Sequence, residues 1–205
     1  MSEQSPKLSS VDIFVDWAKG RLDEMAADAK VLQYRLGDLD VSLRAQAEQS
    51  VAQINRWVGE GETKTKEVQA RGEAAIADAQ AYIEATWPKF QAEANKWVEE
   101  AKNQQATFEA RAQAQAQTWQ NLVNDYVQRA AEVHAQNKVQ AEVQVEQLKA
   151  DAQKAQAGLN AKVDDLSKAG QASWGAMSQA LDESRNAFAK AIEITAKKFN
   201  EATKG

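Results

Sequence analysis

The sequence predicts an all-α protein: an elongated long-helix bundle or coiled coil of three helical arms, in which heptad spacing gives way to an 11-residue beat. Three observations carry this reading. Ala fills 40 and Gln 23 of the 205 positions, and both are good helix formers. Only 9 Gly and 2 Pro interrupt the chain, too few for a loop-rich or all-β architecture. Apolar residues recur at helical spacing from residue 11 onward, marking one face of a helix. Leu, Ile, Val and Phe supply only 37 residues, so the apolar seam is thin and much of it is Ala.

The first arm is expected over 9–58, after a disordered tail at 1–8. Ser9 stands three residues before Asp12, the spacing of an acidic capping box. Two interleaved series follow: Val11, Ala18, Met25, Leu32 and Leu39; and Val15, Leu22, Ala29, Leu36 and Leu43. Their 3-4 spacing reads as a left-handed coiled-coil seam. After Leu43, four-residue steps through Ala47, Val51, Ile54 and Val58 relax the supercoil. A single helix of that span is about 75 Å long. The stretch "GEGET" at 59–63 reads as the turn that ends it.

From 64 to 203 the chain reads as Ala/Gln-rich amphipathic helix with a different rhythm. Trp97, Phe108 and Trp119 lie 11 residues apart, three helical turns plus about 20°, so one helix would carry them nearly in line. The beat returns in Leu148 and Leu159, in Leu166 and Met177, and in Val163 and Trp174, and the row continues through Leu181, Phe188, Ile192 and Phe199. Arg185, 11 residues after Trp174, interrupts it once. Pro88 behind Thr86 predicts a kink or helix restart. A loss of phase at 134–140 predicts a chain reversal, giving arms 9–58, 63–133 and 140–203; the alternative is one very long second helix. Acid-before-base pairs at i,i+4, among them Asp40–Arg44, Asp125–Arg129 and Glu193–Lys197, read as solvated outer faces.

The chemistry points away from catalysis. Cysteine is absent, which excludes disulfides, thiolate metal sites and Cys nucleophiles. His134 is the only histidine and lies in the polar, phase-broken stretch, a poor place for a triad or a zinc ligand. "GEGET" lacks a phosphate-loop Lys and a preceding strand, and Asp38 and Asp40 of "GDLD" flank the Leu stripe as solvated carboxylates. Glu99–Glu100 and Asp164–Asp165 splay about 100° apart on a helix, unsuited to a shared acid–base pair. The Glu-x-x-His motif of di-iron bundles is missing. No catalytic, cofactor or metal residue is therefore expected, and no cofactor. Residues 1–100 hold 12 bases and 18 acids, and 101–205 hold 13 and 12, a balance that argues against nucleic-acid binding. The first residues show neither a basic segment nor an apolar run, so a cytoplasmic protein is expected.

The candidate interaction stripe comprises Val15, Leu22, Leu32, Leu36, Leu43, Trp97, Phe108, Trp119, Leu159, Leu166, Trp174, Met177, Leu181, Phe188, Ile192 and Phe199. Over roughly 90–200 the periodicity and composition resemble long amphipathic-helix proteins with 11-residue repeats: exchangeable apolipoproteins, the phasins that coat polyester granules, and some desiccation-protective proteins. The resemblance implies amphipathic coats and carries over no functional residue. Two readings follow. In the first, a non-enzymatic scaffold packs its stripe against itself as a homo-oligomer or against another helical protein. In the second, the stripe spreads on a membrane, lipid or polymer granule. There the C-terminal helix, with Lys190, Lys197 and Lys198 around Phe188, Ile192 and Phe199, would meet an anionic surface. The narrow seam favours helix pairing.

Overall fold

A computed structural model describes residues 9–133, 135–168 and 174–202, with the side chains at 135–137, 166–168, 174, 200 and 202 excepted. The described chain is all-α. It forms α1 (Ser10–Arg35), α2 (Val41–Arg71), α3 (Ile76–Glu99), α4 (Gln104–Glu132), α5 (Ala135–Lys168) and α6 (Trp174–Ala202), with short 3-10 turns at Leu36–Asp38 and Gly72–Ala75. Each helix runs against the direction of the one before it. Among the described residues no helix is long and apolar enough to cross a membrane.

Local chemistry explains where the helices begin and turn. Ser9 caps α1 as its spacing predicts: its hydroxyl accepts from the Asp12 amide, and the Asp12 carboxylate accepts from the Ser9 amide at 2.7 Å. The first turn of the chain, however, lies at 36–40 and not at 59–63. The Arg35 guanidinium reaches Asp38 at 3.0 Å as α1 closes, and Leu39 takes an extended conformation before α2 begins at Val41. Leu39 is buried, and Leu36 and Leu43 pack beside it, so the turn itself points its leucines into the core. That is why the heptad spacing runs through a break in the helix.

At 59–63 the chain stays helical within α2, and its glycines serve other ends. A Cβ on Gly61 would stand 2.5 Å from Leu22 Cδ2, so Gly61 permits α2 to lie close against α1. Thr63 and Thr65 donate to the carbonyls of Gly59 and Gly61, both at 2.9 Å, a back-bonding compatible with continuing helix. The second turn forms at Gly72, whose φ of 74° is the only positive value among the described residues and suits a residue without Cβ. Helix α3 continues through Pro88 in place of the predicted restart.

The predicted 75 Å arm and the three-arm layout are thus replaced by six shorter helices. The longest, α5, has 34 residues and spans about 51 Å. These helices sort into two halves. In the first, α1, α2 and α3 share two apolar clusters: one around Leu22, Leu32, Ile54, Phe90 and Trp97, the other around Phe14, Val68 and Ile83. In the second, Trp119, Tyr126, Leu148, Phe188 and Phe199 draw α4, α5 and α6 together. α2 packs within its own half, and α5 mainly so, although Leu159 of α5 enters a cluster that also holds Val98 of α3. Contact between the halves runs mainly through α1, which lies antiparallel to α4 and α6 and parallel to α3.

Candidate functional site

Where α1 meets α4 and α6, the junction is lined with charge. Asp16, Glu24 and Asp28 are buried on one side of α1; spacings of eight and four residues keep them within about 120° of one another. α4 answers with Arg111, Trp119, Tyr126 and Arg129, and α6 with Arg185. At one level the Asp16 carboxylate accepts the Tyr126 hydroxyl at 3.0 Å and the Arg129 guanidinium through both oxygens, Nη2 lying 2.7 Å from Oδ1. One turn along, Lys19 meets Asp125 at 2.8 Å on the surface. Next, Glu24 Oε1 accepts the Trp119 indole N–H at 2.7 Å. Then Asp28 Oδ2 receives Arg111 Nε at 3.1 Å, Arg111 Nη2 at 2.9 Å and Arg185 Nη2 at 2.7 Å. Near the end of α1, Arg35 donates to the Ala106 carbonyl at 3.2 Å.

The Asp28 level is the deepest. Asp28, Arg111 and Arg185 are each at most 1 % exposed. Arg111 also donates to Asn95 of α3 at 2.9 Å, and Arg185 to Asp182 at 3.2 Å. Glu24 Oε2 lies 3.3 Å from Arg185 Nε in ion-pair contact, without a hydrogen bond at either atom. Burial pushes the Asp28 carboxyl up, but Arg111 and Arg185 outweigh it and hold Asp28 below its ordinary value. For Glu24, burial dominates and Arg185 and Trp119 offset it only in part, so its carboxyl is raised. Burial would lower Arg185, yet Asp28, Glu24 and Asp182 more than compensate, and it remains a firm cation.

Chemically, this layer clamps helices together. Its carboxylates are engaged by cations and ring donors, and no described nucleophile stands beside them. Among the described residues no group of three or more His, Cys, Asp or Glu side chains could hold a metal ion. Removing these charges from water costs about what their pairing returns. The layer therefore specifies which helix faces meet, and in which register, more than it adds net stability.

Acid should expose the two kinds of carboxylate separately. Glu24, raised in the folded state, takes up its proton more readily there, so as pH falls toward 4.5 its protonation favours the fold slightly. Asp28, lowered in the folded state, contributes stability that is present above 3.8 and lost as pH falls below it. Urea midpoints measured from pH 7 to pH 3 should stay level or rise slightly down to about 4.5, then drop. Asp28→Asn should remove the drop attributable to this layer.

The predicted stripe is almost wholly interior. Leu22, Leu32, Trp97, Phe108, Trp119, Leu159, Met177, Leu181, Phe188, Ile192 and Phe199 are buried, and Val15, Leu36 and Leu43 are half-buried against the same clusters. The side chains of Leu166 and Trp174, and His134, lie outside the described residues. The aromatic beat is not one line along one helix. The chain turns between α3 and α4, and Trp97, Phe108 and Trp119 enter three different clusters. The charges read as solvated outer faces also divide: Glu193–Lys197 pairs within its helix, but Asp125 pairs with Lys19, Arg129 with Asp16, and Asp40 with Lys102. One signal for the charged layer was visible in sequence, the single cation Arg185 in the apolar row of α6. Asp16, Glu24, Asp28 and Arg111 beside the seam look like any flanking charge.

Compared with known proteins, the chain matches no family model, no curated protein and no solved structure.

Proposed function

We propose that the protein is a non-enzymatic interaction protein that binds an amphipathic surface, such as an anionic lipid layer or a coated granule, by opening its bundle. The observation that carries this reading is the contrast between the two halves and their junction. Part of the stripe is covered within each half and part across the junction, where Phe108, Leu159, Met177 and Leu181 share a cluster with Val98 of α3. The same junction is threaded by Asp16–Arg129, Glu24–Trp119 and Asp28–Arg111–Arg185. A junction rich in buried ion pairs holds register firmly but returns little net free energy on closing. A surface that replaces the lost apolar contacts can therefore draw the halves apart. The stripe, already occupied in the closed state, is not free for a permanent partner helix.

Vesicle binding tests this. Arg129→Gln removes the cation from Asp16 at the more exposed end of the junction, where the Arg129 side chain is 35 % exposed. If opening limits binding, an added population of the open state of about tenfold should speed association with phosphatidylglycerol vesicles by about tenfold. Co-sedimentation and stopped-flow light scattering read the effect. No binding by wild type, or an Arg129→Gln protein that binds no faster, contradicts the proposal.

A further inference from the structure

On the side of α5 and α6 remote from α1, a groove of about 440 Å³ runs between the two helices. Its apolar lining includes Ala155, Gly158, Leu159, Ala187, Ala191 and Ile194. Three lysines, Lys154, Lys162 and Lys190, stand in its lining, with Asp151 and Glu183. Glu183 is engaged by Lys162 and by the Gln179 amide, and Asp151 accepts from Gln147. Lys154 and Lys190 pair with no carboxylate among the described residues, which leaves two cations over an apolar trough.

Gly158 gives this groove a second mark. It sits inside α5, where glycine weakens a helix relative to alanine. A Cβ placed there would meet nothing within 4 Å, so no close helix approach and no backbone strain call for glycine. What the missing side chain does is leave the trough open. Ile194, 43 % exposed, adds an apolar side chain with no cover of its own.

Charge and length select the occupant. From Asp151 to Lys162 the groove follows 11 residues of α5, about 16 Å. Along that run an extended alkyl chain, with carbons packing at about 4 Å from their neighbours, can lie against the apolar lining. The two lysines without a carboxylate partner call for an anionic head. We infer that the α5–α6 groove binds a free single-chain anionic amphiphile, a fatty-acid-like molecule, with its alkyl chain over Gly158 and its anionic head at Lys154 and Lys190. The site belongs to the closed bundle and does not depend on the halves separating.

Calorimetric titration of the full chain with sodium laurate, below its micelle concentration, tests the assignment. Wild type should bind one laurate saturably. Lys154→Gln with Lys190→Gln should weaken binding by about fivefold or more, the effect of losing charge-assisted contacts at a partly exposed site. Gly158→Leu should weaken it at least about tenfold by filling the trough. Circular dichroism should show undiminished helix in Gly158→Leu, since leucine is the better helix former. Absence of saturable laurate binding, or equal binding by Gly158→Leu, overturns the inference. So does binding to phosphatidylglycerol vesicles in a protein that takes up no laurate, which would assign the lysines to a membrane surface.

Discussion

Arg185→Ala is expected to lower unfolding stability by about 3–5 kcal/mol, because it strips a cation from Asp28 and Glu24 while both stay buried. In urea, where a protein of this size loses about 2–3 kcal/mol per molar, that is a midpoint shift of about 1–2 M. The damage comes from leaving Glu24 buried without its ion-pair partner and Asp28 with Arg111 alone, not from losing a large favourable contact. Removing the whole layer together, as Glu24→Gln, Asp28→Leu, Arg111→Met and Arg185→Met, should therefore restore wild-type stability or exceed it. An Arg185→Ala protein that unfolds at the wild-type midpoint would show that the layer is solvated, and the junction would need another description.

Trp119→Ala should be comparably severe, at about 3–5 kcal/mol. Trp119 stacks on Phe188 with ring centroids 4.4 Å apart and donates its indole N–H to Glu24, so it joins α4 to both α6 and α1. Truncation opens a cavity in the second half and leaves Glu24 without its ring donor. Trp119→Phe separates the two effects. It keeps most of the packing and forfeits the hydrogen bond, and should cost about 1–3 kcal/mol. Chemical denaturation of both variants checks the ordering. A Trp119→Phe protein as stable as wild type would mean that the hydrogen bond contributes nothing measurable, and equal losses in the two variants that the packing does not.

Much of the fold was legible because it depends on composition and period. Few breakers, abundant Ala and an apolar recurrence near 3.6 require helices, and Ser9 with Asp12 marks the start of α1 correctly. Turn positions were harder to read, since glycine signals more than one thing. Gly59 and Gly61 look like a turn, but Gly61 is a point of close approach to Leu22. Leu36, Leu39 and Leu43 look like uninterrupted helix because a turn whose leucines face the core keeps the helical spacing. Among the described residues only Gly72 adopts a left-handed φ, and its setting in "ARGEA" carries no Pro, Asn or Asp to announce it.

The candidate site was less legible for a related reason. Periodicity identifies the face that is buried but not the partner face, and the charged layer is defined by partners far apart in sequence. Asp28 is joined to Arg185 across 157 residues. The heptads of 11–43 and the aromatic beat of 97–119 did mark buried positions, distributed over four apolar clusters of one bundle instead of forming a shared outward stripe. Arg185 was the one residue whose type disagreed with its position, and it sits at the centre of the layer.

The apolar stripe is covered at rest and, on the proposed function, reaches a surface only when the halves part. Fluorescence of a protein retaining Trp119 alone, with the other five tryptophans replaced by Phe, measures this most directly. Trp119 is 2 % exposed in the closed bundle, so without lipid its emission should be blue-shifted and resistant to acrylamide. When phosphatidylglycerol vesicles carrying brominated acyl chains are added, the bromines should quench it strongly, because the opened α4 face inserts. Emission already red-shifted and acrylamide-sensitive in the free protein would contradict the closed bundle. Vesicle binding that leaves Trp119 unquenched by bromine would contradict its opening.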